Sequence, residues 1–427
     1  MYRKAIQELK TWKRKADRKP LMIYGARQVG KTWLIKEFGK SEYANVAYIM
    51  MADNPRMQNL FDGNSDAKSI ISGLEAEAGF GFNTEDTLII LDEIQEVPKA
   101  ISALKYLFEQ TPEYYIACAG SLLGVAINQE ISFPVGKVNA LYMYPMDFEE
   151  FVQAIKSKKF AELLSTDTDK KNREPFHEEL NNLLRNYFLI GGMPEVVQCF
   201  ANDGNYFEVR AIQKQILSDY EHDFAKHAPR NIVPRIQMVF HSIPSQLAKE
   251  NKKFIYGVIK KGARAKEFEL AIQWLMDAGI LHKIPRVNVT HYPLKHYEDL
   301  SAFKLFFVDV GLLGAMSDVE PRIVLEKNNV FVEYKGAMTE QYVAQQLIAT
   351  KHILYYYSSD DAKSELDFII EENGAVIPIE VKSAESLTSK SLKLLVEKYK
   401  IEHAVKYSLL PEIQNDIVRN VPLYLSI

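Results

Sequence analysis

The chain has 427 residues and a formal net charge of −4 at pH 7; 47% of its residues are hydrophobic and 25% are charged. This length predicts two or three independent cores, and the composition excludes a disordered chain. The acidic balance excludes a grip on nucleic acid by the whole surface, although a local basic patch remains compatible with it. Because the sequence contains neither a signal-peptide stretch nor roughly 20 consecutive apolar residues, it predicts a cytoplasmic protein without a membrane partner.

Residues 1–146 contain short apolar runs that alternate with segments long enough for helices. These runs are Leu21 to Tyr24, Val46 to Met50, Leu88 to Leu91 and Tyr115 to Ala119. Such alternation is typical of a parallel α/β sheet with helices on both faces. We therefore predict an α/β core over this part of the chain.

The rest of the chain divides into three further predicted regions. Residues 147–230 have helical apolar spacing and are predicted to form a helical lid or linker. Residues 231–325 show short helices followed by two strand-like pieces, which is the order of a winged helix. Residues 326–427 alternate helix and strand and predict a second α/β domain.

The segment GARQVGKT matches GxxxxGK[ST] at every fixed position and lies between the apolar run LMIY and the helical segment WLIKEF. In this arrangement, backbone N–H groups converge on the phosphates of ATP. Lys31 would reach the β- and γ-phosphates, and Thr32 would offer its hydroxyl to Mg²⁺. The predicted nucleotide-binding residues are Gly25, Ala26, Arg27, Gln28, Val29, Gly30, Lys31 and Thr32.

A second motif, TLIILDEIQ, reads as a buried strand that ends in two carboxylates. Asp92 would hold Mg²⁺, and Glu93 would orient or deprotonate the attacking water, which favours hydrolysis over binding alone. Ser121 follows the next apolar run and could sense the γ-phosphate, or it could belong to an ordinary turn. The predicted catalytic residues are therefore Glu93, Lys31 and Ser121.

At these residues the chain resembles prokaryotic AAA-type ATPases, related to STAND-like NTPases, that carry a winged-helix and nuclease-like C-terminal region. The shared segments are GARQVGKT, LDEIQ, the GS of Gly120 and Ser121, YPMDFEEF, IGGMPEVV, FKLFFVDVGLL, ELDFII and IPIEVKS, in this order. The resemblance implies an ATPase core, a helical lid and a winged helix, but no substrate. Many relatives have Gly-Arg before YPMDFEEF, whereas this chain has Gly136 and Lys137, which leaves a trans-acting finger at residue 137 in question.

The predicted winged helix carries a basic stretch that could contact DNA. Its charged residues are Lys252, Lys253, Lys260, Lys261, Arg264 and Lys266. The same fold also serves as a protein-binding module, and a run of charges is often only a solvated surface. DNA and protein partners, including self-association, therefore both remain open.

The C-terminal region predicts a metal site on a hairpin. If Asn373-Gly374 forms a two-residue type I′ turn, Asp367 lies opposite Glu380 and Glu365 lies opposite Lys382. Mg²⁺ or Mn²⁺ would relieve the repulsion between the opposed carboxylates, and Lys382 could position the attacking water. This spacing resembles the PD-(D/E)xK nucleases, and Glu340 matches their helix carboxylate. The alternatives are a nuclease-like fold without cleavage, or a solvated hairpin face.

Two functions follow from these motifs. The first is a Mg²⁺-dependent ATP-hydrolysing switch coupled to a C-terminal region that binds or cuts nucleic acid. The second is a regulatory NTPase that binds protein partners and has a catalytically inactive nuclease-like domain. ATP is bound in both, and metal-dependent cleavage or salt-sensitive DNA binding would separate them.

Overall fold

The computed structural model describes residues 1–62, 66–120, 133–165, 168–249, 252–320, 332–359, 364–383, 389–415 and 417–426. Its contacts divide the chain into two units. The first unit is Tyr2–Tyr144 together with Asp277–Gly279, and the second contains Pro145–Met276 and Ile280–Ile427. None of the helices in these ranges is long and apolar enough to cross a membrane.

The helices of the described ranges are α1 (Ala5–Arg14), α2 (Lys31–Glu42), α3 (Pro55–Phe61), α4 (Ala67–Ala78), α5 (Pro98–Gln110), α6 (Phe148–Ile155), α7 (Lys158–Ala161), α8 (Lys170–Arg173), α9 (His177–Ile190), α10 (Pro194–Asp203), α11 (Tyr206–His227), α12 (Val233–Leu247), α13 (Tyr256–Ile259), α14 (Ala265–Asp277), α15 (Val310–Met316), α16 (Val332–Ala349) and α17 (Lys390–Tyr399). The strands are β1 (Leu21–Tyr24), β2 (Asn45–Met50), β3 (Thr87–Asp92), β4 (Tyr115–Ala119), β5 (Asn139–Tyr142), β6 (Leu281–Val287), β7 (Glu298–Phe307), β8 (Tyr355–Ser358), β9 (Glu365–Glu372), β10 (Ala375–Val381), β11 (Ala404–Ser408), β12 (Ile413–Asn415) and β13 (Val418–Pro422).

The first unit is built on a parallel five-stranded sheet with the order β2-β3-β4-β1-β5. All six residues of β3 are buried, because neighbouring strands cover its edges and helices cover its faces. On one face, Leu104 of α5 and Leu74 of α4 belong to the same hydrophobic cluster as Ile89 and Leu91 of β3. The predicted parallel α/β core is therefore confirmed.

The second unit contains an eight-stranded sheet with the order β12-β13-β11-β10-β9-β8-β6-β7. It takes β6 and β7 from the predicted winged-helix region and β8 to β13 from the predicted nuclease-like region. The two regions join where β6 pairs with β8 in parallel, with Arg286 beside Tyr356 and Val287 beside Tyr357. The division into a winged helix and a nuclease-like domain, with a boundary after residue 325, stays a prediction.

The β9–β10 hairpin has the predicted register. Ala375 pairs with Glu372, and the antiparallel pairing continues outward to Ile379 beside Phe368. The turn residues Asn373 and Gly374 have φ values of 51° and 80°, and positive φ at both positions is the requirement of a type I′ turn. The observed pairing ends there, and Asp367 and Glu380 are the next residues outward on the two strands.

A buried aspartate connects two of the segments that carry the family resemblance. Asp309 is fully buried at the start of α15 and accepts hydrogen bonds from the backbone N–H of Gly192 (2.6 Å) and of Leu312 (3.0 Å) and from Gln345 Nε2 of α16 (3.1 Å). A Cβ on Gly192 would lie 2.1 Å from the carbonyl oxygen of Met146, so no larger residue fits there. The segments IGGMPEVV and FKLFFVDVGLL therefore hold the second unit together.

Candidate functional site

The loop between β1 and α2 has the backbone shape that its glycines predict. Gly25 has φ 141° and Gly30 has φ 94°, values that residues with a side chain rarely adopt. A Cβ on Gly25 would lie 2.2 Å from the carbonyl oxygen of Met143, where the chain leaves β5. The loop can therefore pass close to the backbone after β5 and lead into the N-terminus of α2, where helix N–H groups favour an anion.

Lys31 begins α2 and lies within this loop. Its ammonium donates hydrogen bonds to the carbonyl oxygens of Gly25 (2.8 Å) and Ala26 (2.7 Å). Burial lowers the pKa of Lys31 to about 8, and the carboxylates of Glu93 and Asp92 offset this only in part. A buried ammonium that is held only by carbonyl oxygens gains from a phosphate nearby, because a charge-assisted bond is stronger than a neutral one.

Thr32 and Asp92, the two predicted magnesium ligands of the first unit, lie side by side. Thr32 Oγ1 donates to Asp92 Oδ2 at 2.9 Å, and the backbone N–H of Glu93 donates to Asp92 Oδ1 at 3.1 Å. Asp92 is 2% exposed at the carboxyl end of β3. A hydroxyl and a carboxylate at a parallel strand end fit Mg²⁺, a hard cation that takes oxygen ligands and retains water. Their metal-binding role stays a prediction.

Glu93, the predicted catalytic base, follows β3 with φ 53° in the left-handed region. Gln95 Nε2 donates to Glu93 Oε2 at 2.5 Å, so the amide of Gln95 restrains this carboxylate. Ser121 lies outside the described residues. Lys137 pairs with Glu109 of α5 at 2.9 Å, and about a third of each side chain is exposed.

Two further residues contact the loop or Asp92 and were not predicted from the sequence. The guanidinium of Arg3, which is 6% exposed, donates to the carbonyl oxygens of Val29 (2.7 Å) and Tyr144 (2.6 Å). The hydroxyl of Tyr48 on β2 donates to Asp92 Oδ2 at 2.8 Å. The only sequence signal for Tyr48 is a polar group near the carboxyl end of a strand; Arg3 has none.

In the second unit, four carboxylates lie near three lysines. We call Glu340, Glu365, Asp367 and Glu380 the acidic centre. Lys252 forms an ion pair with Glu340, Lys304 with Glu365 at 2.7 Å, and Lys382 with Glu380 at 2.5 Å. The alternative of a solvated hairpin face with Glu365 paired to Lys382 is wrong, because Lys382 pairs with Glu380 after β10 ends and the buried Lys304 of β7 pairs with Glu365.

Burial and charge act together on the acidic centre. Burial and the nearby Glu340 raise the pKa of Asp367 to about 8, although Lys304 and Lys252 oppose this. Asp367 Oδ2 accepts a hydrogen bond from the backbone N–H of Val381 at 2.7 Å. Glu340 Oε2 is buried and makes no hydrogen bond to any residue that the structure describes. This buried oxygen could accept a cation, but the described residues include no group of three or more His, Cys, Asp or Glu side chains placed to hold a metal ion.

The basic stretch divides into two parts in the structure. Lys253, Lys260, Lys261, Arg264 and Lys266 are exposed, around α13 and the start of α14. Lys252 is the exception, because it is largely buried against Glu340. The residues that the sequence groups as one patch therefore include one lysine that is paired with the acidic centre instead.

Family models match three parts of the chain. An AAA domain model matches residues 17–152, which contain the loop, Asp92 and all five strands of the parallel sheet. This match supports a P-loop AAA-type ATPase domain in that part of the chain. Two models of domains of unknown function, DUF8612 and DUF4143, match residues 181–322 and 335–424 of the second unit.

Solved structures show a weaker likeness. A Walker-type ATPase of Pyrococcus abyssi is 12% identical, with a TM-score of 0.44, over 73% of this chain and 94% of that chain. The ORC1 protein of Aeropyrum pernix, solved in complex with DNA, is 13% identical, with a TM-score of 0.30, over 74% of this chain and 90% of that chain. Scores this low carry no argument about function. No curated protein matches the chain.

Proposed function

We propose that the protein is a Mg²⁺-dependent ATPase that works as a molecular switch. The observation that carries this proposal is the 2.9 Å hydrogen bond between Thr32 Oγ1 and Asp92 Oδ2, beside the buried ammonium of Lys31. Thr32 and Asp92 would hold Mg²⁺, which supplies positive charge to the phosphate oxygens when it is bound. Lys31 would exchange its carbonyl partners for phosphate oxygens.

Glu93 is the carboxylate that we expect to activate water. Its carboxylate follows the same strand end as Asp92, and Gln95 restrains it at 2.5 Å. A general base must lie within hydrogen-bond reach of the water that it deprotonates. We therefore expect Glu93 to exchange Gln95 for the attacking water during hydrolysis, which would make Gln95 a restraint on the idle enzyme.

The test is ATP hydrolysis and ATP binding by the parent protein and by Glu93→Gln. The variant should bind ATP with parent affinity and hydrolyse it at least about a hundredfold more slowly, as is typical for loss of a general base. Glu96→Gln, on the same turn Ile94–Glu96, is the matched control and should hydrolyse ATP at the parent rate. A parent protein without ATPase activity would refute the proposal; an active Glu93→Gln would reassign the base.

For the second unit, we propose that the switch acts on nucleic acid through the exposed basic side chains around α13. Lys260, Lys261 and Arg264 are all exposed, so phosphates can reach them. Each lost phosphate contact should reduce the slope of the logarithm of the binding constant against the logarithm of the salt concentration by roughly 0.9. Neutralising these three together should therefore weaken DNA binding and flatten its salt dependence.

The matched control neutralises Lys158, Lys170 and Lys171, three exposed lysines on α7 and α8. This control has the same net charge as the test variant and should bind DNA with the parent slope. Equal losses of DNA affinity in both variants would indicate that DNA is attracted by the total charge of the protein alone. If the parent shows no salt-dependent DNA binding, the basic stretch belongs to protein contacts.

The lysines of the acidic centre favour the alternative, a regulatory ATPase with an inactive nuclease-like domain. Lys252, Lys304 and Lys382 already provide positive charge to the carboxylates that a metal would need. Calorimetric titration with Mn²⁺ separates the two readings. Binding that is lost in Asp367→Ala supports a metal-dependent centre, whereas a parent protein that binds no Mn²⁺ at this centre supports the regulatory alternative.

A further inference from the structure

Tyr48 lies on β2, an edge strand of the parallel sheet, beside the strand that carries Asp92. The register pairs Met50 with Asp92, and the Tyr48 side chain, two residues earlier, points along the strand towards the same carboxylate. Its hydroxyl lies 2.8 Å from Asp92 Oδ2. Resting on the proposed Mg²⁺-dependent function, we infer that Tyr48 is a positioning residue that orients Asp92 for magnesium and makes the site selective for it.

The direction of this hydrogen bond follows from the surroundings of Tyr48. A phenol hydroxyl carries its proton at neutral pH and an ionised carboxylate can only accept, so the Tyr48 hydroxyl donates to Asp92. The Lys36 ammonium of α2 lies 3.5 Å from the centroid of the Tyr48 ring and holds the ring in place. The hydroxyl is therefore a fixed donor to the carboxylate.

The donors to Asp92 leave little freedom to its carboxylate. Oδ1 accepts the backbone N–H of Glu93, and Oδ2 accepts both Thr32 Oγ1 and Tyr48 Oη. A carboxylate offers about four lone-pair sites, so these three donors leave roughly one for a metal ion or a water bound to it. Because the donors come from β2, α2 and the end of β3, they fix the rotation of the carboxylate about its Cβ–Cγ bond.

Removing the Tyr48 hydroxyl should act on the metal rather than on the nucleotide. Lys31 and the loop backbone would meet the phosphates, and the Tyr48 hydroxyl bonds Asp92 instead, so affinity for ATP without metal should be unchanged. Loss of a group that orients a metal ligand typically lowers metal affinity by about 10- to 100-fold. Mg²⁺ demands near-ideal octahedral geometry whereas Ca²⁺ tolerates irregular sites, so the loss should be larger for Mg²⁺.

The experiment measures the affinity for a non-hydrolysable ATP analogue in Mg²⁺, in Ca²⁺ and in EDTA, for the parent and for Tyr48→Phe. Phenylalanine keeps the ring against Lys36 and removes only the hydroxyl. We expect the gain in affinity on adding Mg²⁺ to fall by about tenfold or more, the gain from Ca²⁺ to fall by less, and the affinity in EDTA to stay the same. Tyr142→Phe, on β5 with 55% of its surface exposed, is the control and should match the parent.

Each other outcome is decisive. If Tyr48→Phe keeps the full Mg²⁺ gain, the inference is wrong and the proposed ATPase stands. Equal losses in EDTA, Mg²⁺ and Ca²⁺ would mean that Tyr48 only supports the fold. If the parent shows no metal-dependent gain, the Mg²⁺ dependence of the proposed function fails, and the role of Tyr48 fails with it.

Discussion

Lys31 combines a charge with a buried position, and this has opposite effects on stability and on binding. Its ammonium is 7% exposed and bonds two backbone carbonyl oxygens, and burial lowers its pKa to about 8. Burying a charge without a directly bonded ion of opposite sign is costly. The buried ammonium therefore destabilises the fold in the absence of nucleotide, and a bound phosphate would offset this destabilisation.

At this residue we predict that Lys31→Met lowers ATP affinity by at least about tenfold, since a hydrogen bond to a charged group contributes about 1.5–3 kcal/mol. The free energy of unfolding without nucleotide should stay within about 1 kcal/mol of the parent, because the removed charge was buried at a cost. Calorimetric ATP titration and urea unfolding measure the two quantities.

Lys40→Met, at an exposed position on the same helix, is the control and should bind ATP as the parent does. Parent-like ATP affinity in Lys31→Met would contradict the role of the loop. A loss of several kcal/mol in stability would instead show that the carbonyl hydrogen bonds of Lys31 hold the loop together.

At the residue scale, sequence predicts those site residues whose spacing is short and fixed by the chemistry. Lys31 and Thr32 follow from one loop, and Asp92 follows from a strand that ends in acids. Tyr48 and Arg3 could not be found in this way. Their contacts bridge 44 and 26 residues of chain and depend on which strands are neighbours.

At the scale of elements, Asp309 joins the start of α15, the turn after α9 and helix α16 through three hydrogen bonds. Asp309→Ala should lower the free energy of unfolding of the second unit by about 2–4 kcal/mol. The estimate combines loss of an N-cap, about 1 kcal/mol, with buried N–H donors left without an acceptor, about 1–3 kcal/mol. Urea unfolding followed by circular dichroism measures this change.

Lys214→Ala, which breaks an exposed ion pair with Asp318 just after the same helix, is the matched control. Its effect should stay within about 1 kcal/mol, as is usual for exposed pairs. Equal and small effects of both substitutions would show that the segments around Asp309 are held by apolar packing rather than by this carboxylate.

Among the elements, the β9–β10 register could be derived because Asn373-Gly374 sets both the turn and the pairing. The ion-pair partner of Glu365 could not be derived from the sequence, since Lys304 lies on a strand that is not part of the hairpin. The short edge strand β5 also escaped prediction. Its residues NALY show only a brief alternation, and its pairing with β1 is a tertiary contact.

For the whole molecule, the two units allow the proposed switch to be tested directly. ATP at a hundred times its dissociation constant should stabilise the ATPase unit by about 2.7 kcal/mol, seen as slower amide hydrogen exchange in β1, β3 and β4. A switch also requires a coupling of about 1–3 kcal/mol to the second unit, seen as altered exchange in β9 to β11.

Lys31→Met should lose both effects. Protection from exchange that is confined to the first unit would indicate an ATPase without a switch.

Sequence predicts the first unit well because each strand leads through a helix to a parallel strand. It predicts the second unit less well, since one sheet gathers strands from both sides of the expected boundary at residue 325, and that pairing is tertiary.

The ATPase unit is also discontinuous along the chain, because Asp277–Gly279 belong to it although the intervening segment Pro145–Met276 does not. A ribosome that adds 5–20 residues per second needs about 7 to 26 s for the roughly 130 residues in between. During that interval the nascent ATPase unit lacks its last three residues. Because a Cβ on Gly279 would lie 3.0 Å from the backbone nitrogen of Ala26, this segment packs against the nucleotide loop. Co-translational folding of the loop should therefore finish late, after most of the helical part of the second unit has emerged.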